Sequence, residues 1–447
     1  MLNIKLPSPT VWASLASEQQ QELLQRPTQK VSESLSASVA NIMRDVKQSG
    51  DKALLSYTEK FDGVRLSTLA LTKEAIASLA AQTSLKVRKA IDEAYQNIAQ
   101  FHNMQKPQEQ SIETSAGVTC SLRYTPLAKV GLYIPGGSAS LPSTVLMLGV
   151  PSQIAGCDEV ILMTPPTPQG EVAPAICYAA QKCGISKILL GGGAQAIAAM
   201  TFGTETVPAV QKIFGPGNSY VTEAKQQASQ VAGGPAIDLP AGPSELLVIA
   251  DESAEPEFIA SDLLSQAEHG PDSQVILVSS SAEILKQTAK ALERQLSNLP
   301  RAEIAIQAME QSRFIHTSDL EEAVQVSELY APEHLSLQVS EPEALLPNLR
   351  NAGSIFIGHY TPEAGGDYAT GTNHVLPTYG FSRSYSSLGL ADFYRRYTTQ
   401  RVTAAGLKQL GTTIVDLAEE EKLDAHARAV SLRLQSKRMQ ADLGEQL

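Results

Sequence analysis

The sequence predicts an α/β protein with two lobes of mainly parallel sheet and helical segments at its N- and C-terminal ends. Three observations carry this. Between about residues 130 and 360, short apolar runs alternate with helical patterns, the signature of βαβ units and of sheets covered on both faces. Outside that stretch, apolar residues recur at three- and four-residue spacing, the period of amphipathic helices. Glycine, proline or aspartate ends most of the strand-like runs.

Taken in order, residues 1 to about 125 read mostly as helix. The clearest stretches are "SASVANIMRDVKQSGDKALLSYTEKF", punctuated by Gly50 and Asp51, and "TKEAIASLAAQTSLKVRKAIDEAYQNIAQFHN". At Val130 the texture changes. "VGLYIPGG", "EVILMTPP", "KILLGGG", "KIFGPGN", "ELLVIAD", "QVILVSS", "HLSLQV" and "SIFIG" read as strands, with helical patterns such as "VAPAICYAAQKCG" and "AEILKQTAKALERQL" between many of them. The two runs, about 130–240 and 245–360, suggest two similar lobes. In such sheets ligands bind at the carboxyl ends of strands, where the glycines fall here. From about Thr361 to Tyr379 no period survives, so "TPEAGGDYATGTNHVLPTY" reads as a long loop, and such loops in compact domains tend to be functional or disordered. From about Leu388 the chain returns to helix.

Composition narrows the partners. The 447 residues carry a net charge of −12, which argues against nucleic acid or an anionic membrane as the main partner. No signal peptide and no membrane span is expected, and the chain reads as cytoplasmic. Cys120, Cys157, Cys177 and Cys183 form no C-x-x-C pair and read as small apolar residues rather than disulfide partners or nucleophiles.

Two strand–glycine–helix junctions could hold a phosphate. "ILLGGGAQAIAAM" fits G-x-G-x-x-A through Gly191, Gly193 and Ala196, and "KIFGPGNSYVTEA" carries Gly215 and Gly217. Neither is followed by an obvious acidic residue for a ribose, and a tight turn without ligand explains either one equally well. The histidines are more informative. His102, His316 and His359 have no companion cluster and read as surface or satisfied core imidazoles. The other four sit beside carboxylates, amides or glycines. His269 follows Gln266 by three residues, so both share a helix face. His334 follows Glu333 at the start of "HLSLQV", His374 follows Asp367 in the glycine loop, and His426 follows Glu421 and Asp424. Imidazole and carboxylate are zinc ligands and also general acid–base groups; with no H-E-x-x-H spacing, the residues alone leave both readings open.

From Ile237 to Gly270, "IDLPAGPSELLVIADESAEPEFIASDLLSQAEHG" closely resembles histidinol dehydrogenase. The likeness continues through "APEHL", "AGGDYATGTNHVLPTYG", "SSLGLADF", "GLYIPGG", "GGAQAIAA" and "KIFGPGN" and covers nearly the whole chain. It implies two Rossmann-like lobes and oxidation of L-histidinol to L-histidine through L-histidinaldehyde. It also implies two NAD⁺ per turnover, one zinc per subunit and a homodimer with shared active sites. By motif, the zinc ligands are Gln266, His269, Asp367 and His426, which also contact substrate. Glu333 and His334 are the acid–base pair, and Glu333 also contacts substrate. Ser244, His374 and Glu421 contact substrate, and Tyr133, Gln195 and Asn218 contact NAD. The implied organisation is an N-terminal helical segment (1–28), a discontinuous metal and substrate domain (29–125 and 245–387), an NAD-binding domain (126–244) and a C-terminal helical tail (388–447) that crosses to the partner subunit. A relative acting on another small polar alcohol, or a metal-binding protein without turnover, are the rival expectations. An intact Glu333–His334 pair speaks against the second.

Overall fold

A computed structural model describes residues 6–27, 33–136, 140–239 and 242–444. It is an α/β structure with mainly parallel sheets and helices toward both ends. Two compact units divide the chain: Met1–Gln105 with Leu127–Phe393, and Lys106–Pro126 with Tyr394–Leu447. No helix among the described residues is long and apolar enough to cross a membrane.

The first unit holds two parallel sheets. The smaller runs, in spatial order, Lys187–Leu190, Glu159–Thr164, Lys129–Tyr133, Lys212–Phe214 and Ala236–Ile237. The larger runs Pro9–Val11, Arg313–His316, Gln274–Ser279, Glu245–Ala250, His334–Gln338 and Ser354–Ile357. Without its N-terminal edge strand, the larger sheet has the same order as the smaller, 3-2-1-4-5 in chain sequence. Each is a doubly wound sheet whose order reverses beside its first strand.

Burial explains the apolar runs. All six residues of Glu245–Ala250 are buried, because a central parallel strand has helices on both faces. Leu246, Val248 and Ala250 join one core; Leu247 and Ile249 join the other. The helix Pro256–Ala267 covers the first face with Ile259, Ala260, Leu263, Leu264 and Ala267. At roughly 1.5–3 kcal/mol for each large apolar side chain, these stripes fix which way the helix faces. Helices of Glu33–Asp62 pack against the smaller sheet, with Val39, Ile42, Val46 and Leu54 in its core. That segment bends at Gly50, whose φ of 52° breaks the helix where the sequence is punctuated.

Three local expectations differ from the structure. Within Thr361–Tyr379 lies a short helix, Glu363–Tyr368. Its paired glycines hide it in the sequence; a Cβ at Gly366 would stand 2.7 Å from the Phe356 ring, so close packing selects glycine there. Residues Gln110–Ser115 and Val118–Pro126 form an antiparallel hairpin rather than helix. Tyr394–Val402 is a third strand, paired with Val118–Pro126. This sheet, with the helices Ala404–Glu420, Asp424–Leu434 and Lys437–Asp442, makes the second unit.

Candidate active site

One open cleft of about 1390 Å³ in the first unit collects most of the sequence-nominated residues. Tyr133, Gln195, Asn218, Ser244, Gln266, His269, Glu333, His334, Asp367 and His374 all line it. The smaller sheet presents its carboxyl strand ends to the cleft, as expected. The larger sheet does the opposite. Glu245 and His334 are the first residues of their strands, so its amino edge faces the cleft. A helix that follows a parallel strand runs back toward that amino edge. Pro256–Ala267 therefore delivers Gln266 and His269 to the place where Glu333 and His334 begin.

At that edge the helix closes with a tight turn, His269 N–H donating to the Gln266 carbonyl at 3.2 Å. Gln266 is 1 % exposed, and both atoms of its side-chain amide are buried without a hydrogen-bond partner among the described residues. Asp367 stands between two imidazoles: Oδ2 is 3.9 Å from His269 Nε2, and Oδ1 is 3.9 Å from His334 Nε2. His374 Nδ1 donates to the Asp367 carbonyl at 2.9 Å, leaving Nε2 as its acceptor nitrogen. Burial drives His374 down to about 4, so its ring is neutral.

Glu333 accepts from the backbone N–H of Glu245 (2.9 Å), and burial raises its carboxyl above the usual range. Burial works against a charge on His334, but Glu333, Glu363 and Asp367 outweigh it and hold its proton up to about 10. Glu363, fully buried, was not nominated from the sequence. Its Oε2 accepts from Ser265 at 2.7 Å, while Oε1 has no hydrogen-bond partner among the described residues and lies 3.7 Å from His334 Nε2. Asp262 is pushed up to about 7 by burial and by Glu363, and burial also raises Asp367. A helical reading of 363–368 would have exposed the clue, since Glu363 and Asp367 are four residues apart on one face.

Several buried carboxylates around one imidazolium call for further positive charge, and an orphaned amide calls for a partner. Both needs fit a divalent cation beside Gln266, His269 and Asp367. Donor atoms of His334, Glu363 and Asp367 also come within 4.8 Å of one another, a second grouping able to hold a cation.

The other end of the cleft suits a dinucleotide. Tyr133 ends its strand and accepts from Gly193 N–H at 3.0 Å, where the helix Gly193–Phe202 begins. Gly215 has a φ of 128°, and a Cβ there would lie 2.1 Å from the Tyr133 carbonyl; only glycine fits. A Cβ on Gly136 or Gly192 would press on Pro165 at 2.7 and 2.6 Å. Asn218 caps the helix Ser219–Ser229 through Oδ1. Two helix N-termini thus meet glycine turns across the order reversal of the sheet, the setting in which backbone N–H groups take phosphates. The Gly215 turn is strapped by a buried ion pair: Lys225 Nζ donates to Gly215 O (2.9 Å), and Asp238 Oδ2 accepts from Gly215 N (2.7 Å).

Glu421 and His426 lie in the second unit and are exposed. Glu421 ends the helix Ala404–Glu420, Lys422 turns the chain with a φ of 58°, and His426 sits in the first turn of Asp424–Leu434. Leu423 is the N-cap of that helix and Asp424 its first residue. Elsewhere His102 is a satisfied core imidazole, its Nδ1 2.8 Å from Ile98 O. All four cysteines are free, and burial pushes the Cys177 and Cys183 thiols up to about 12.

The histidinol dehydrogenase family model matches residues 24–434. A histidinol dehydrogenase of Idiomarina loihiensis is 56 % identical over 432 residues, 97 % of this chain and 98 % of that protein. One from Aliivibrio fischeri is 54 % identical over 436 residues, covering 98 % of each. The crystal structure of histidinol dehydrogenase from Elizabethkingia anophelis superposes with a TM-score of 0.93 at 48 % identity, over 97 % of this chain and 99 % of that one. Likeness of this depth along nearly the entire sequence, on the same fold, makes this chain a member of the histidinol dehydrogenase family.

Proposed function

We propose that this chain oxidises L-histidinol to L-histidine through L-histidinaldehyde, with NAD⁺ and one zinc ion per subunit, as a homodimer with shared active sites. The observation that carries the reading is the cleft itself, where the partnerless Gln266 amide stands with His269 and Asp367 beside the Glu333–His334 pair. Family membership supports the substrate.

Gln266, His269 and Asp367, joined by His426, would hold the zinc, which when bound supplies a Lewis-acidic anchor for the substrate's imidazole and amine. Tyr133, Gln195 and Asn218 would hold NAD⁺, which when bound supplies the hydride acceptor for each of the two oxidations. Ser244, His374 and Glu421 contact the substrate, and the neutral His374 offers an acceptor nitrogen. His334 takes the alcohol proton at Nε2. Positive charge at Asp367, where the zinc would be held, would offset the carboxylates that raise His334. Glu333 removes a proton from the water that adds to the aldehyde carbon. The hydrate so formed gives a hydroxyl proton to His334 Nε2 as its C–H hydride leaves for a second NAD⁺, and the carboxylic acid that results ionises to the carboxylate. A carboxyl raised by burial is a stronger base once ionised, which suits Glu333 to that step.

The test is stoichiometry. Each histidinol consumed is expected to yield two NADH and one histidine. One NADH with released aldehyde, or faster turnover of another small polar alcohol, would overturn the reading.

A further inference from the structure

Both members of the Glu333–His334 pair hang from one residue. The backbone N–H of Glu245 donates to Glu333 Oε2 (2.9 Å), and its carbonyl lies 2.9 Å from His334 Nδ1. A carbonyl has no proton to give, so Nδ1 carries the hydrogen, and a neutral His334 keeps its lone pair on Nε2. That nitrogen faces Glu363 and Asp367 at 3.7 and 3.9 Å. The tautomer needed for proton removal is therefore written by the position of a single peptide unit.

Glu245 is held in turn from the N-terminal segment. Arg26 grips its carboxylate with two bonds, Nε to Oε1 at 2.5 Å and Nη2 to Oε2 at 2.9 Å. The same Nη2 reaches the carbonyls of Tyr330 (2.8 Å) and Ala331 (3.2 Å), two to three residues before Glu333. The guanidinium carbon stands 3.9 Å over the buried Tyr330 ring. Glu245 Oε1 also accepts from Tyr379 N–H at 2.8 Å, at the end of the loop that carries His374. One guanidinium so pins the residue that holds the pair and the turn that leads into it.

We propose that Arg26 is a positioning residue for the reaction, acting through Glu245 on Glu333 and His334. The inference rests on the reading that this pair does the acid–base work. It needs Arg rather than any cation. A lysine ammonium cannot make the two-pronged contact and reach the carbonyls from one plane. A displacement of about 1 Å at reacting groups can cost about 10²-fold in rate. A purely structural ion pair would instead lower stability and leave the turnover of folded enzyme unchanged.

The experiment is a double-mutant cycle in the full-length, zinc-loaded enzyme, with unfolding midpoints measured in parallel. Arg26→Lys is expected to lower kcat by about 10- to 100-fold while KM for histidinol stays within about threefold. Combined with His334→Asn, the same substitution is expected to cost less further than it costs alone, because one of the two groups it positions is gone. Glu245→Gln, which keeps shape and weakens the grip, should show the same pattern to a smaller degree and serves if Arg26→Lys folds poorly. Unchanged kcat in folded Arg26→Lys and Glu245→Gln, or losses that multiply with that of His334→Asn, would overturn the proposal. A His334→Asn enzyme with full activity would instead overturn the underlying acid–base reading.

Discussion

A buried amide with no partner is costly, about 1–3 kcal/mol, and Gln266 carries two such atoms. The cost is explained if a cation takes the amide oxygen. Gln266→Met, close to isosteric, removes the buried polar atoms. Metal-free Gln266→Met is therefore expected to be as stable as the metal-free parent or up to about 3 kcal/mol more stable. Its zinc affinity should fall by more than about tenfold, since even residues behind the ligands cost 10–100-fold. Zinc titration with parallel urea unfolding checks both. Retained affinity, with a loss in Glu363→Gln instead, would move the cation to the His334–Glu363–Asp367 grouping. Residue chemistry made imidazoles beside carboxylates legible, but it would not have chosen an amide; the family motif did. Glu363 and Arg26 escaped for physical reasons. Glu363 is masked by glycines that look like loop, and Arg26 pairs with a residue 219 positions away.

Among elements, the parallel strands were the most legible, because strands buried on both faces are written as unbroken apolar runs. The hairpin 110–126 and the strand Tyr394–Val402 were not. Nearly all their residues are exposed or half-buried, so no apolar period marks them. Strand ends were read with the wrong polarity in one sheet. The glycines lie at carboxyl ends, yet the larger sheet uses its amino edge for the site and ties down its far edge with Asp251. That carboxylate follows Glu245–Ala250 and accepts from Ser340 N and Oγ, both at 2.9 Å, beyond His334–Gln338, and from Ser253 N at 2.9 Å. Burial alone would raise its pKa; the bonds from Ser253 and Ser340 outweigh burial and hold it below the ordinary aspartate value. A depressed folded-state pKa means the stabilisation is complete above the unfolded value and disappears as pH falls through the folded one. Asp251→Asn is expected to cost about 1–3 kcal/mol at about pH 7, with the gap to the parent closing only below about pH 4. Urea midpoints across that range measure it. A gap that stays constant would assign the bonds no charge dependence.

At the scale of the molecule, the second unit exposes Leu417, Leu423 and Leu432, while Val118, Ala418, Ala427 and Met439 are among its few buried apolar residues. A partner subunit covering those leucines suits the proposal that Glu421 and His426 serve a neighbouring active site. Mixed dimers of His426→Ala with His269→Ala should then recover part of the parent activity, because one of the two sites carries neither lesion. Mixed dimers that stay inactive would keep the tail on its own chain. The larger sheet carries a consequence of another kind. One of its two edge strands is Pro9–Val11, which pairs with Phe314–His316. At about 5–20 residues per second, the ribosome releases the partner some 15–60 s after the edge strand. The smaller sheet, contiguous from Lys129 to Ile237, emerges in between. The first strand made is thus among the last to find its place, and Arg26, made with it, locks onto Glu245 only after most of the smaller lobe has left the ribosome.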